Sequence, residues 1–264
     1  MRPVRVGRPL LLNGWVNLST VRNRIARARG QARWPDNIPD WLDKYAPGHS
    51  FVDVGCMWKI NGEIAFEAEA RGAKPVTGLD VVPPTDECMA ESKRRNSAAR
   101  FLVGDLHDPI VLSEVGVHDV VWCGGVLYHA PNPLLALQHL RSITGRYLIL
   151  ATMTIPEVPG FPQACIFYPR LSDPARLALA APISGVADGL TTKFDPALDY
   201  SNWWWGISRS ALRSMLDASG FKVVEEGGGG NVFHTSLVCE ATDGAWWSSV
   251  KATAPGASMV AQSS

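Results

Sequence analysis

The sequence predicts an open α/β sheet, mostly parallel, with one antiparallel terminal strand and helices on both faces. Three observations predict it. Short apolar runs such as V-V-W (Val120–Trp122) and Y-L-I-L-A (Tyr147–Ala151) show no polar alternation, as strands covered on both faces do. These runs alternate with stretches of helical character. The last two strands, Phe221–Glu225 and Val232–Ala241, are joined by Gly227–Asn231, a link too short for a right-handed crossover. It demands a hairpin, which reverses the final strand.

Taken in order, a connecting helix near Asp40–Tyr45 precedes strand Phe51–Val54, where F-V-D-V runs into the glycine of D-V-G. A helix over Gly62–Arg71 leads to strand Val76–Leu79, and a helix over Glu87–Asn96 leads to strand Arg100–Val103. Strand His118–Trp122 is followed by a helix over Pro133–Ile143, proline suiting its first turn, and then by strand Tyr147–Ala151. Ser208 caps the next helix, and Gly220 ends it before the hairpin. Two regions fall outside this alternation. Residues 1–48 form a basic N-terminal arm with helices, one of them over about Leu18–Ala28. The stretch from about Met153 to Tyr200 carries seven prolines, from Pro156 to Pro196, among aromatics and alanines. It leaves the C-terminal end of the fifth strand, where ligands bind in open α/β sheets, and is expected to be a substrate-facing cap of about 153–200, with a structural insertion as the alternative. The main domain spans 49–241, and 242–264 reads as a flexible tail.

Composition narrows the class. With 264 residues, 46% hydrophobic and 19% charged, the chain has the make-up of a globular protein with one substantial core. Its five cysteines are scattered with no Cys-x-x-Cys, which speaks against a disulfide framework or a thiolate zinc site and for a reduced, cytoplasmic setting. No apolar run approaches the roughly 18 residues of a membrane span. Net charge is zero, yet eight arginines lie in the first 33 residues and no acid occurs before Asp36. Without those eight arginines, 17 basic residues face 25 acidic ones, a remainder near −8. The arm either binds phosphate, as on RNA or a membrane surface, or packs a helix on an acidic body with its arginines solvated.

The chemistry-bearing pattern sits at strand tips. A buried strand ending in Asp53-x-Gly55, then a second strand ending in Asp80, is how an open α/β sheet holds an adenosine-containing ligand. Glycine lets the ligand approach the backbone, and the tip carboxylate accepts from both ribose hydroxyls. A dinucleotide fingerprint would need glycine at Met57 and Ile60, so a pyrophosphate ligand is disfavoured.

The ordered pieces F-V-D-V-G-C, G-L-D-V, F-L-V-G-D-L, H-D-V-V-W-C-G-G-V-L-Y-H and Y-L-I-L-A resemble class I S-adenosylmethionine-dependent methyltransferases over about Phe51 to Ala241. The resemblance implies a Rossmann-like methyltransferase sheet and S-adenosylmethionine as cofactor. It puts Asp53 and Gly55 at the methionine end, with Cys56, Met57 and Trp58 in the adjoining loop. Asp80, with Val81, would meet the ribose; Asp105 and Leu106 the adenine edge; Gly124 and Gly125 the floor under the reactive methyl. The chain departs from the family in that loop, where Met57, Trp58 and Lys59 stand in place of further glycines. Trp58 either packs on the cofactor or closes the pocket floor.

G-V-L-Y-H-A-P-N-P-L (Gly125–Leu134) is similar to the branch containing the tRNA wobble-uridine carboxymethyl-transferring enzymes. The acidic body instead suggests a small-molecule acceptor, such as a sugar or natural-product hydroxyl, and O-methylation. Modification of a tRNA wobble base and a non-catalytic cofactor-binding protein are the alternatives. His129 is the leading candidate base beside Tyr128, or else it orients Tyr128 or bonds a backbone carbonyl. His107 and Asp108, near the adenine side, are expected to be structural, and His234 to be a core or edge residue of the final strand. Asp105, His107 and Asp108 are too close in one turn to argue for a metal, and none is expected. Trp203–Trp205 form either a ring-stacking wall for the acceptor or core packing. Oligomeric state stays open.

Overall fold

The computed structural model describes residues 38–180, 193–227 and 234–245. Residues 1–37 of the arm, with the helix expected over Leu18–Ala28, the end of the tail and most of the Gly227–Asn231 link lie outside the described residues. Seven strands form one sheet in the order β3-β2-β1-β4-β5-β9-β8. These are β1 (Phe51–Val54), β2 (Val76–Asp80), β3 (Arg100–Val103), β4 (His118–Gly124), β5 (Thr144–Met153), β8 (Phe221–Gly227) and β9 (His234–Ala241). All neighbours from β3 to β5 pair in parallel, while β9 runs antiparallel to both β5 and β8. The reversed strand is therefore interior to the sheet, and β8 forms the edge.

Alternation along each strand divides the core into two. One face buries Val52, Val121 and Leu148 beneath α5 (Pro133–Ile143) and α7 (Arg209–Ala218). The other buries Phe51, Trp122 and Ile149 beneath α1 (Ile38–Tyr45) and α2 (Glu63–Ala70). Side chains fill both faces because both are covered, so the strands read as continuous apolar runs. The remaining helices flanking the sheet are α3 (Asp86–Arg95), capped by Thr85 onto the Cys88 N–H, and α4 (Pro109–Val115), capped by Asp108 onto the Ile110 N–H. Helix α4 was not expected from periodicity. Seven residues make under two turns, and its only local sign is the Asp-Pro start.

Beyond β5 the chain forms a two-stranded antiparallel ribbon of β6 (Cys165–Phe167) and β7 (Trp205–Ile207), with α6 (Asp173–Ala180) between them. A 3₁₀ turn at Pro196–Ser201 leads back to β7.

A bulge in β8 fixes where α1 docks. Val223 pairs with Cys239, but Glu225 pairs with Val238, so one residue is skipped and Glu225 moves to the α1 face. There its carboxylate accepts from Trp41 Nε1 (2.8 Å), Lys44 Nζ and the Tyr45 hydroxyl. Those donors, Lys44 first, hold the Glu225 carboxyl below its usual range. A lowered carboxylate pKa adds stability above the unfolded-state value, and that stability is lost as pH falls through the folded one. Glu225→Ala is expected to cost about 1–2 kcal/mol in urea unfolding at pH 7, the side chain being partly solvated. The gap to wild type should narrow as pH falls below the ordinary carboxylate range.

Candidate active site

The strand order reverses at β1 and β4, which sets the crevice between their C-terminal ends. Glycine amides extend the ladder one residue past three strands. Gly55 N–H bonds to Leu79 O (2.8 Å), Gly104 N–H to Asp80 O (2.9 Å) and Gly125 N–H to Ala151 O (2.9 Å). Gly55 turns at φ 81°, and a Cβ there would lie 2.4 Å from Val126 Cγ2. No side chain fits at that position, which lets the loops after β1 and β4 close on each other.

The three acids stand at successive tips. Asp80, almost fully buried, accepts from Met57 N–H (2.7 Å) with one oxygen and from Val82 N–H (2.9 Å) with the other. It thereby ties the β1 loop to its own strand and keeps a further lone pair on each oxygen. Asp105 accepts from the His107 N–H (2.8 Å) and His107 Nδ1–H (3.0 Å), and from the Tyr200 hydroxyl. Burial would raise its pKa, but those donors outweigh burial and hold it low, so it is a carboxylate.

Asp53 differs from both. It is fully buried, one oxygen accepts from Ala65 N–H (3.2 Å), and Oδ1 has no hydrogen-bond partner among the described residues. Burial, reinforced by the Asp80 charge, pushes its carboxyl up to about 8. Its register partner on β4 is Trp122, whose Nε1 likewise lacks a partner. Two orphaned polar atoms on neighbouring strands are costly unless something satisfies them.

Beside them, at the tips of β4 and β5, lies a cavity of about 180 Å³. Gly124, Gly125 and Tyr128 border it, with Trp122, Met153, Ile38 and Ile60 as apolar walls and His234 at its edge. Tyr128 is held neutral, its hydroxyl pushed up to about 12 by burial.

The loop residues are placed as follows. Cys56 and Met57 are buried with Phe66 and Cys88 in an apolar cluster, so their backbone rather than their side chains faces the crevice. Trp58 is 67% exposed and carries Lys59 Nζ 5.8 Å over its ring, so it closes no pocket floor. Val81 is exposed beside Asp80, and Leu106 is buried behind Asp105. His129 does not border the cavity; its Nδ1–H donates to Asn202 O (2.7 Å), and its ring lies 4.2 Å from that of Tyr128. Trp203 packs on Tyr128 (4.5 Å), Trp204 on Phe194 (4.9 Å), and Trp205 on Phe167 (5.0 Å) with Nε1–H on Pro131 O. None of the three borders the strand-tip cavity.

The sequence pattern gives no sign of Tyr200, which reaches Asp105 from a distant turn. His234, expected as a core or edge residue of the last strand, borders the cavity because β9 reverses. Among the described residues no three His, Cys, Asp or Glu side chains converge on a metal site.

A methyltransferase-domain family model matches residues 52–145, the stretch that carries all three acids and both floor glycines. The chain carries a class I S-adenosylmethionine-dependent methyltransferase domain. This domain is similar to the tRNA U34 carboxymethyltransferase of Campylobacter hominis, at 32% identity over 136 residues, covering 47% of this chain and 42% of that one. The chain thus spans less than half the length of that relative. In fold, the chain resembles the N-terminal domain of EvdMO1 with SAH bound (TM-score 0.53, 13% identity, 80% of this chain and 82% of that one). It also resembles an O-methyltransferase family protein from Burkholderia thailandensis (TM-score 0.54, 15% identity, 86% and 61%).

The donor set fits the cofactor of this domain. Carboxylates at the tips of β2 and β3 suit ribose hydroxyls and an adenine amino group, and orphaned Asp53 Oδ1 suits an ammonium. An acid raised by burial stabilises the fold while protonated and loses that contribution as pH rises through its folded value. In urea unfolding without cofactor, wild type should therefore weaken between about pH 4 and pH 8 relative to Asp53→Asn, and level off above that. A parallel pH profile for the two proteins would contradict the buried neutral acid.

Proposed function

We propose that the protein transfers a methyl group from S-adenosylmethionine to a hydroxyl of a small natural product. The observation that carries this is the row Asp53, Asp80 and Asp105 at successive strand tips, ending at a cavity floored by Gly124 and Gly125. Asp80 and Val81 hold the ribose, Asp105 and Leu106 the adenine, and the Gly55–Trp58 backbone the methionine end. When bound, the cofactor supplies a methyl on sulfonium, which needs little activation. The protein's part is then to align the acceptor in line and exclude water, and orientation alone can contribute roughly 7–11 kcal/mol. Mostly apolar walls favour a natural-product ring over a sugar, whose hydroxyls would go unpaired. Five free cysteines, four of them buried, suit a reduced cytoplasmic setting. Among the described residues no helix is long and apolar enough to cross a membrane.

A second reading, modification of a tRNA wobble base, is favoured by the similarity to tRNA U34 carboxymethyltransferases and by the eight arginines of the arm. It predicts tRNA binding that weakens steeply with salt and is lost on deleting residues 1–33.

For the main reading, calorimetry should show saturable binding of S-adenosylmethionine and of S-adenosylhomocysteine. Asp80→Ala should weaken both by about 10–100-fold, through lost charge-assisted hydrogen bonds. Binding of neither would refute it. Incubation with a cell extract should yield a small molecule heavier by about 14 Da, one added methylene unit.

A further inference from the structure

The stretch between β5 and α7 is expected to face the acceptor, yet its last turn lands on the acid at the tip of β3. From the 3₁₀ turn Pro196–Ser201 the Tyr200 hydroxyl donates to Asp105 Oδ2. The other oxygen, Oδ1, already receives the His107 N–H and the His107 Nδ1–H. Burial, then the hydrogen bond to Asp105 and its charge, push the Tyr200 hydroxyl above its ordinary range, so it stays a donor. The rings of Tyr200 and His107 lie nearly parallel, with centroids 6.3 Å apart, on the same side of the carboxylate they serve. A carboxylate oxygen accepts two hydrogen bonds. Three donors therefore leave Asp105 a single open lone pair, and it is on Oδ2.

The turn is braced to keep Tyr200 there. Asp199, just before it, adopts φ 42° and ψ −119°, a conformation that a residue other than glycine keeps only where its surroundings hold it. Buried Asn202 holds it. Its Nδ2–H₂ group donates to Asp195 O (2.6 Å) and Asp199 O (3.0 Å), and its Oδ1 accepts from the Asp195 N–H (3.0 Å). The Asn202 carbonyl in turn accepts from His129 Nδ1–H (2.7 Å), and Trp203 packs on Tyr128 at the border of the strand-tip cavity. One short segment thus joins Asp105 to a wall of that cavity. We propose that Tyr200 is a positioning residue for the cofactor, orienting the Asp105 carboxylate so that its one open lone pair meets the adenine amino group. This deepens the methyl-transfer reading and rests on it, for it makes the turn before β7 part of the cofactor site. A base with an amino group at that position donates to the open lone pair, whereas a base with a carbonyl there sets oxygen against oxygen. The Tyr200 hydroxyl is committed to Asp105, so its effect on the base passes through that carboxylate.

The test is calorimetry with S-adenosylhomocysteine and with S-inosylhomocysteine, which carries an oxygen in place of the adenine amino group. Wild type should favour the amino compound by about 10–100-fold, the worth of a charge-assisted hydrogen bond. Tyr200→Phe keeps the ring and removes the donor. It should weaken S-adenosylhomocysteine by about fivefold, through lost preorganisation, and leave S-inosylhomocysteine within about twofold. In an Asp105→Ala background the same change should alter neither affinity. If Tyr200→Phe leaves S-adenosylhomocysteine affinity unchanged or raises it, the hydroxyl is idle or a competitor, and the proposal is overturned. Equal weakening of both ligands, or weakening that persists without Asp105, marks a merely structural contact and overturns it too. If Asp105→Ala does not fold, as loss of both ligands would reveal, the two affinities of Tyr200→Phe decide alone. Equal binding of both ligands by wild type takes the adenine away from Asp105 and ends this proposal, with the methyl-transfer reading intact. If wild type binds neither ligand, that reading itself falls.

Discussion

Residue 55 has no room for a side chain, and the strand tips depend on that. Gly55 turns against Val126, with a virtual Cβ only 2.4 Å from Cγ2, so the loops leaving β1 and β4 meet where the strand order reverses. Asp80 then draws the Met57 amide toward β2, which fixes the path of the loop that follows. With this backbone set, Met57 and Cys56 can turn inward to the Phe66 cluster although the loop lacks its family's later glycines. Lys59 and Asn61 accept left-handed φ of 61° and 49° in the same loop. That is strain of the kind that persists only where surrounding structure holds it.

The second tension is polar. Asp53 and Trp122 are buried side by side at register positions of β1 and β4, each with an atom that the described residues leave unsatisfied. A core selected for stability alone would remove such atoms, because a buried unpaired donor or acceptor costs on the order of 1–3 kcal/mol. Their retention is what a binding site requires: groups that are unpaired in the free protein and satisfied by what it binds. Neither lies on a loop. Both are on central strands, where the sheet holds them in place.

Much of this was legible in the sequence because it is local. Unbroken apolar runs marked the strands, Ser208 and Gly220 marked α7, and the Gly227–Asn231 link required the reversal at β9. The tip acids could be named because each lies within two residues of the C-terminal end of a strand. What escaped is non-local or short. The β6–β7 ribbon has three residues per strand, too few to show a period of two. The bulge that turns Glu225 toward α1 leaves no mark in composition, and neither does the reach of Tyr200 to Asp105 across the fold. His129 drew attention by following β4, yet a 3₁₀ turn at Leu127–His129 carries its ring to Asn202 and away from the cavity. His234 reads as a strand residue, since sequence does not show which end of an antiparallel strand borders the cavity.

The domain matches a family model, while the solved folds it resembles share only 13–15% identity with it, so the account stands on the geometry of the strand tips. Its central claim is that the three acids address three parts of one cofactor. A crystal structure of the chain with S-adenosylhomocysteine tests this most directly. The account predicts the ammonium at Asp53 Oδ1, the ribose hydroxyls at Asp80 and the adenine amino group at Asp105. Ligand held elsewhere, such as in the small cavity bordered by Tyr168 and Trp203, with the three acids untouched, would contradict it.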